Sequence, residues 1–152
     1  MVAPRFATAW LLGAGALLLG SGVADIIVGT WLPGWLYRML PPVIIDVAAV
    51  GGAATASGVA LLLLGTLHVG AATGLRRGQR SGALLTAVVV LAMTMAALCV
   101  GWGLAALVSV VAGDGPAGAL VPAGIGLAAA AIGYGWTAAA VSRLREPPSF
   151  GI

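Results

Sequence analysis

The chain contains no lysine and no asparagine, and only one cysteine, one histidine and four acidic residues among its 152. Without asparagine there is no N-glycosylation sequon, and Cys99 alone forms neither an intrachain disulfide nor a cysteine-based metal cluster. The motifs CxxC, HExxH and Walker A are absent, and a single histidine cannot supply the paired ligands of a di-haem protein. We therefore expect no catalytic activity, no bound metal and no cofactor.

Charge is scarce as well. Charged residues make up 7% of the chain, against roughly 25% in a soluble domain. Hydrophobic residues make up 61% and the mean hydropathy is +1.13, more apolar surface than a water-soluble monomer of this size could bury. The net charge of +3 comes from arginines in short clusters beside apolar runs, whereas nucleic acid requires a continuous basic surface. The composition indicates an integral membrane protein that binds no nucleic acid.

Four apolar runs are long enough to cross the roughly 30 Å of bilayer hydrocarbon, which takes about 20 helical residues. They are continuously apolar and lack the alternation of a membrane β-barrel. We predict an all-α integral membrane protein, a four-transmembrane-helix bundle that forms a single domain over 1–152. The helices are expected at about 6–31, 43–74, 82–112 and 117–143.

The arginines predict the orientation. Six of the seven lie in the amino-terminal segment, the central loop and the carboxyl-terminal tail, and only Arg38 lies on the other side. The positive-inside rule then places both termini in the cytoplasm. Arginine in place of lysine, with no asparagine, suggests a GC-rich bacterial genome, so we expect a multi-pass protein of the bacterial inner membrane. The six arginines are Arg5, Arg76, Arg77, Arg80, Arg143 and Arg145.

Two groups of residues are candidates for contact with lipid or a partner. Trp31, Trp35 and Tyr37 mix with leucines in the first outer loop, and such aromatic side chains prefer the membrane interface. With prolines on both sides, this loop is predicted to form a short interfacial helix over about 34–40. The second group is the arginines of the central loop, Arg76, Arg77 and Arg80, which also determine topology.

Asp25 is predicted to lie about 9 Å from the midpoint of the first helix, which is within hydrocarbon depth. A carboxylate there needs a partner, a water-filled cavity or a proton. We predict a polar cluster at the outer side, made of Asp25, Arg38 and Asp46, that fixes the interfacial segment to the helix ends. The alternative is an ion or proton path lined by Asp25.

Two aromatic side chains remain open to interpretation. His68 is predicted near the cytoplasmic end of its helix, where an amphipathic ring suits the interface. Its alternative role is that of a haem ligand, completed by a second subunit. Trp102 lies within the third span, and the sequence leaves open whether it faces lipid, a neighbouring subunit or a cofactor.

A weak internal repeat suggests a duplicated two-helix hairpin. Placing 57–77 over 125–145 aligns Gly58 with Gly126 and Gly65 with Gly133. Small residues also recur at four-residue spacing, which lets membrane helices approach closely. These pairs are Ala54 and Gly58, Gly70 and Gly74, Gly126 and Ala130, and Gly135 and Ala139.

The expected function is that of a small non-catalytic accessory or assembly subunit of a larger bacterial inner-membrane complex. Its partners would be membrane lipids and other integral membrane subunits, or further copies of itself. One alternative is a small oligomeric transporter or channel that uses Asp25. Another is a haem-holding subunit that uses His68.

Overall fold

A computed structural model describes residues 3–39, 47–113 and 117–145. They form four long helices: α1 (Ala3–Met39), α2 (Val47–Arg76), α3 (Gly82–Ala112) and α4 (Ala117–Ser142). Each contains a stretch long and apolar enough to cross a membrane. The prediction of an all-α protein with four apolar helices is confirmed, and it supports a multi-pass membrane protein. These stretches are Arg5–Trp31, Gly51–Arg76, Gly82–Ala112 and Gly118–Ser142.

The separate interfacial helix expected at 34–40 is not seen. Instead, α1 continues without a break through Pro33 to Met39, while Leu40 lies outside the described residues. Proline removes one backbone hydrogen bond but has a φ angle that suits a helix, and long membrane helices tolerate such a loss. Taking Pro33 as a helix boundary was therefore wrong.

The short connection between α2 and α3 has a cap at both of its helix ends. Gly78 has a φ of 71°, and the following N–H, that of Gln79, donates to the carbonyl of Gly74 at 3.1 Å. Ser81 then begins α3, its hydroxyl accepting from the N–H of Leu84 at 3.3 Å. At the other end of α3, Gly113 adopts a φ of 77°, which favours glycine.

The chain divides into two compact units, each built on an antiparallel helix pair. The first hairpin unit is Leu11–Ala72, which pairs α1 with α2. The second hairpin unit consists of the described residues of Met1–Trp10 and Thr73–Ile152, and it pairs α3 with α4. It therefore also contains the first turns of α1 and the last turn of α2.

Six glycines bring α1 and α2 into backbone contact in the first hairpin unit. A methyl group added at Gly22 would lie 2.7 Å from the carbonyl oxygen of Gly58, and one at Gly29 would lie 2.7 Å from that of Gly51. At Gly15 it would lie 3.1 Å from the carbonyl oxygen of Gly65. Glycine is required because only a missing Cβ lets two helices come this close. We call Gly15, Gly22, Gly29, Gly51, Gly58 and Gly65 the glycine ladder.

The second hairpin unit does not repeat this packing. Gly126, which the internal alignment matches to Gly58 of the ladder, is exposed and has no atom within 4 Å of an added Cβ. Gly103, the glycine of α3 that comes near α4, has a looser contact, 3.7 Å from the Cβ of Leu127. The two hairpins thus share an antiparallel arrangement, but they are packed by different residues.

Candidate functional site

Asp25 has a partner on the neighbouring helix. The hydroxyl of Ser57, on α2, donates to the Oδ2 atom of Asp25 at 2.9 Å. Asp25 is half-buried and Ser57 is exposed, so the pair lies at the side of the first hairpin unit rather than inside it. This hydrogen bond joins α1 to α2 beside the glycine ladder, three residues beyond Gly22 and one before Gly58.

The predicted cluster of Asp25, Arg38 and Asp46 is described by the structure only in part. Because α1 is one continuous helix, Asp25 and Arg38 are thirteen residues apart along it, or about 20 Å of helical rise. An arginine side chain cannot span that distance back along its own helix. Asp46 lies outside the described residues, as does the side chain of Arg38. The partner that the structure describes for Asp25 is Ser57, which the sequence did not single out, and the three-residue cluster stays a prediction.

The outer aromatic residues are described only in part. Trp31 is 79% exposed, in keeping with a side chain that contacts lipid or a partner. Trp35 and Tyr37 belong to the last turns of α1, but their side chains lie outside the described part of the structure.

The side chain of His68 is buried inside the first hairpin unit. Its exposure is 0%, and its Nδ1 atom donates to the carbonyl oxygen of Leu64, one turn earlier on α2, at 2.7 Å. The Cβ atom of His68 would lie only 3.1 Å from a methyl group added at Gly15. The interfacial interpretation of His68 is wrong, since the ring packs against the α1 backbone at the end of the glycine ladder.

Six arginines gather at one end of the second hairpin unit. Arg5 lies in the first turn of α1, Arg76 ends α2 and Arg80 precedes the α3 cap, while Arg143 and Arg145 follow α4. The guanidinium of Arg145 donates to the hydroxyl of Thr86 on α3 at 3.0 Å, which joins the end of α4 to the start of α3. Arg77 completes the set, and all six are exposed.

Aromatic side chains form a cluster beside these arginines. Phe6 stacks on Trp10 with ring centroids 6.2 Å apart, and Trp10 meets Tyr134 edge to face at 5.8 Å. The indole of Trp10 lies directly over Gly133, where an added Cβ would overlap the ring. Among the described residues, Trp10 Nε1 is the buried side-chain nitrogen that lacks a hydrogen-bond partner.

An apolar groove opens between α3 and α4, toward the end opposite the arginines. Its volume is about 390 Å³, and Cys99, Gly103, Gly124 and Ala128 line it together with leucine, valine and isoleucine side chains. The groove exists because Gly124 and Ala128 present little side chain to α3. Trp102, beside it on α3, is 68% exposed, so it faces outward from the second hairpin unit.

Comparison with known proteins identifies no relative. No family model, no curated protein and no solved structure matches the chain. Its function is therefore argued from its own residues. Within the described part of the chain, no three His, Cys, Asp or Glu residues are grouped so that they could hold a metal ion.

Two features of these sites were missed in the sequence. The glycine ladder was detectable, since its members follow at seven-residue intervals on each helix, a spacing that keeps them on one face. The aromatic cluster was not, because Trp10 and Tyr134 are 124 residues apart in the chain and no local pattern links them.

Proposed function

We propose that this protein is a small non-catalytic subunit that assembles with other integral membrane proteins through the groove between α3 and α4. The observation that carries the proposal is the contrast between its two helix pairs. In the first hairpin unit, the glycines of the ladder meet the backbone of the neighbouring helix, whereas Gly124 and Gly126 of α4 meet no atom within 4 Å. Close-packed membrane proteins place small residues where another helix arrives.

The dimensions of the groove support a helix as its occupant. Its lining is apolar along about three turns of α3 and two and a half turns of α4, and it contains glycine on both sides, at Gly103 and Gly124. Helices pack 8–10 Å apart depending on the side chains between them, and small residues allow the shorter distances. A partner helix with larger apolar side chains would fill this volume at the density of a protein interior.

Location and orientation are part of the proposal. The grouping of six arginines at one end of the second hairpin unit supports a cytoplasmic position for that end, and with it for both termini. The use of arginine without lysine supports a bacterial inner membrane. The two antiparallel hairpins also support a duplicated origin, although their packing has diverged.

Filling the groove is expected to prevent assembly. Leucine at Gly124 would occupy the space that a partner helix needs, and its Cβ would meet no atom of the chain within 4 Å. Purification of the wild-type protein from its native membrane in mild detergent, followed by mass spectrometry, should recover other membrane proteins in fixed stoichiometry. We expect Gly124→Leu to reduce that recovery at least tenfold, corresponding to about 1.4 kcal/mol or more of lost association energy.

Gly20→Leu is the matched control, since Gly20 lies on α1, is exposed and likewise has no atom within 4 Å of an added Cβ. It should leave the co-purified proteins unchanged. Recovery of the wild-type chain as a pure homo-oligomer would count against an accessory role. Equal losses for both variants would show that the groove is not the contact.

A second candidate function, a small oligomeric transporter or channel, is favoured by one observation. Asp25 lies within the apolar stretch Arg5–Trp31 of α1, at the side of the hairpin, and ionisable residues inside membrane helices often mark ion or proton paths. The bond from Ser57 favours a structural role instead, because such interhelical hydrogen bonds contribute about 0.6 kcal/mol, and up to about 1.7, to membrane proteins.

Reconstitution into liposomes separates the two roles of Asp25. If Asp25 joins two helices, vesicles with the wild-type protein should leak protons, Na⁺ and K⁺ no faster than empty vesicles. Asp25→Asn should behave in the same way and remain folded, since an amide oxygen can still accept from Ser57. An ion flux that the wild type supports and Asp25→Asn abolishes would favour the transporter.

The third candidate, a haem-holding subunit, receives little support. His68 is fully buried and packs against Gly15, so its surroundings are already filled by protein atoms. A porphyrin needs an open pocket beside its ligand.

A further inference from the structure

Along one face of α4, the exposed side chains change from aliphatic to aromatic to positively charged toward the arginine end. Ile132 and Trp136 are four residues apart on α4, which places them on one side of the helix. Arg143, seven residues after Trp136, directly follows α4, and its N–H donates to the carbonyl of Ala139 at 3.3 Å, so the helical turn continues to it. Ile132 is 64% exposed, Trp136 is 69% exposed and Arg143 is exposed as well. This face therefore presents, in order, an aliphatic chain, an indole and a guanidinium to the surroundings.

The start of α1 adds a second aromatic and a second cation to this face. Phe6 is 40% exposed, and its ring centroid lies 6.2 Å from that of Trp136. Arg5 directly precedes Phe6 and is also exposed. The start of α1 and the end of α4 thus each contribute one exposed arginine and one of two adjoining rings to the same hairpin unit. We call Arg5, Phe6, Trp136 and Arg143 the aromatic–arginine patch.

Described acidic residues do not neutralise this patch. Asp25 is twenty residues from Arg5 along α1, about 30 Å of helical rise. Glu146 lies outside the described residues. The patch combines positive charge with aromatic side chains that prefer the membrane–water boundary.

We propose that the aromatic–arginine patch binds an anionic phospholipid. Arg5 and Arg143 would contact the headgroup phosphate, Phe6 and Trp136 the glycerol ester region, and one acyl chain would run along Ile132. The rise from Trp136 to Arg143 is about 10 Å, enough to cross the roughly 5–8 Å of headgroup region that lies outside the hydrocarbon on each side of a bilayer. The proposal is independent of the accessory role and of which side of the membrane the patch faces.

The other arginines at this end provide a comparison. Arg145 is held by Thr86, and no exposed aromatic side chain among the described residues belongs to the loop that carries Arg76 and Arg77. If bulk charge were sufficient, any pair of arginines would serve equally. If the patch is a specific site, Arg5 and Arg143 matter more than Arg76 and Arg77.

Native mass spectrometry of the detergent-purified chain, titrated with phosphatidylglycerol or phosphatidylcholine of the same acyl composition, tests the site. The wild type should bind phosphatidylglycerol more tightly. The double variant Arg5→Gln, Arg143→Gln should lose phosphatidylglycerol affinity by about 30-fold, given about 1 kcal/mol for each arginine near the surface. Arg76→Gln, Arg77→Gln removes the same charge and should lose less than about threefold.

The aromatic part has its own control. Trp136→Ala should weaken both lipids, whereas Trp102→Ala, which removes an equally exposed indole elsewhere, should weaken neither. The charge-retaining variant Arg5→Lys, Arg143→Lys should keep most of the preference and so report on folding. Equal losses from both arginine pairs would overturn the site, as would a wild type that does not distinguish the two lipids. Competition by soluble glycerol phosphate at similar concentration would indicate a free-anion site and would also overturn the proposal.

Discussion

Leucine at Gly22 is expected to separate α1 from α2, the largest effect that a single substitution should have on this fold. An added Cβ lies 2.7 Å from the carbonyl oxygen of Gly58 and 3.0 Å from the backbone nitrogen of Leu62. Both are backbone atoms of a helix, so neither can move aside as a flexible side chain could. The helices would have to move apart, and the neighbouring ladder contacts would be lost with this one.

The expected loss in free energy of unfolding is about 3 kcal/mol or more, at the upper end of overpacking in a close-packed interior. It should appear as a fall of roughly 10 °C in the midpoint of thermal unfolding, followed in detergent by size-exclusion chromatography after heating. The hydrogen bond between Ser57 and Asp25 should be weakened as well, because it joins the same two helices next to the ladder.

Gly20→Leu is the control here too, since it makes the same change in helix propensity two residues earlier, at an exposed position. Its unfolding midpoint should equal or slightly exceed that of the wild type, because leucine favours the helical state more than glycine does. If both variants unfolded at the same temperature, the ladder would not hold the hairpin together.

The gross architecture was predictable because hydrocarbon thickness limits what a membrane chain can do. Four apolar runs of sufficient length indicate four helices, and for α3 the polar signals at each end are also readable. Ser81 is a favourable N-cap and Gly113 supplies the left-handed conformation that ends the helix. The predicted and observed bounds of α3 therefore agree.

The end of α1 was not predictable from the same signals. Pro33 lies beyond the apolar run, among tryptophans and leucines that suit either an interfacial helix or the extension of a long one. In water, the lost hydrogen bond would favour a break. Within a helix of 37 residues, the hydrogen bonds on both sides of Pro33 maintain the helical path.

The hydrogen-bond partner of Asp25 was not predictable from the sequence for a different reason. Composition suggested Arg38 because opposite charges attract, and the loop was expected to fold back over the helix ends. The structure instead pairs Asp25 with Ser57, whose position opposite Asp25 depends on the register of the glycine ladder. Gly22 contacts Gly58, and Gly29 contacts Gly51. The two helices are therefore antiparallel, and seven residues forward along α1 correspond to seven residues backward along α2. Without that register, Ser57 was one of several small polar residues.

Glycine spacing at four residues proved a weaker guide than spacing at seven. Gly70, Gly126 and Gly135 belong to the four-residue pairs, yet none has an atom within 4 Å of an added Cβ. The seven-residue series keeps a single face over two full intervals on each helix, which is long enough for two helices to remain in contact. Small residues thus indicate where close packing can occur, and their repetition indicates where it does.

The second large effect is expected at Gly133, where alanine should destabilise the second hairpin unit by about 2–3 kcal/mol. The added Cβ would overlap the indole of Trp10, which is held on its other sides by Phe6 and Tyr134. Gly135→Ala makes the same change two residues later at a position with no atom within 4 Å, and should be neutral or stabilising by up to about 1 kcal/mol.

A double-mutant cycle with Trp10→Leu tests whether the clash is the cause. Leucine at position 10 removes the ring over Gly133, together with an indole N–H that has no acceptor in the described structure. Because leucine fills part of the space and Trp10 is only half-buried, this substitution should cost less than the roughly 3–5 kcal/mol typical of truncating a core tryptophan to alanine. With leucine at position 10, an alanine at position 133 has room. The double variant should therefore lose about 1–2 kcal/mol less free energy of unfolding than the two single variants lose together. If the two losses were additive in thermal or denaturant unfolding, the effect of Gly133→Ala would come from the backbone of α4 and not from a clash with the Trp10 ring.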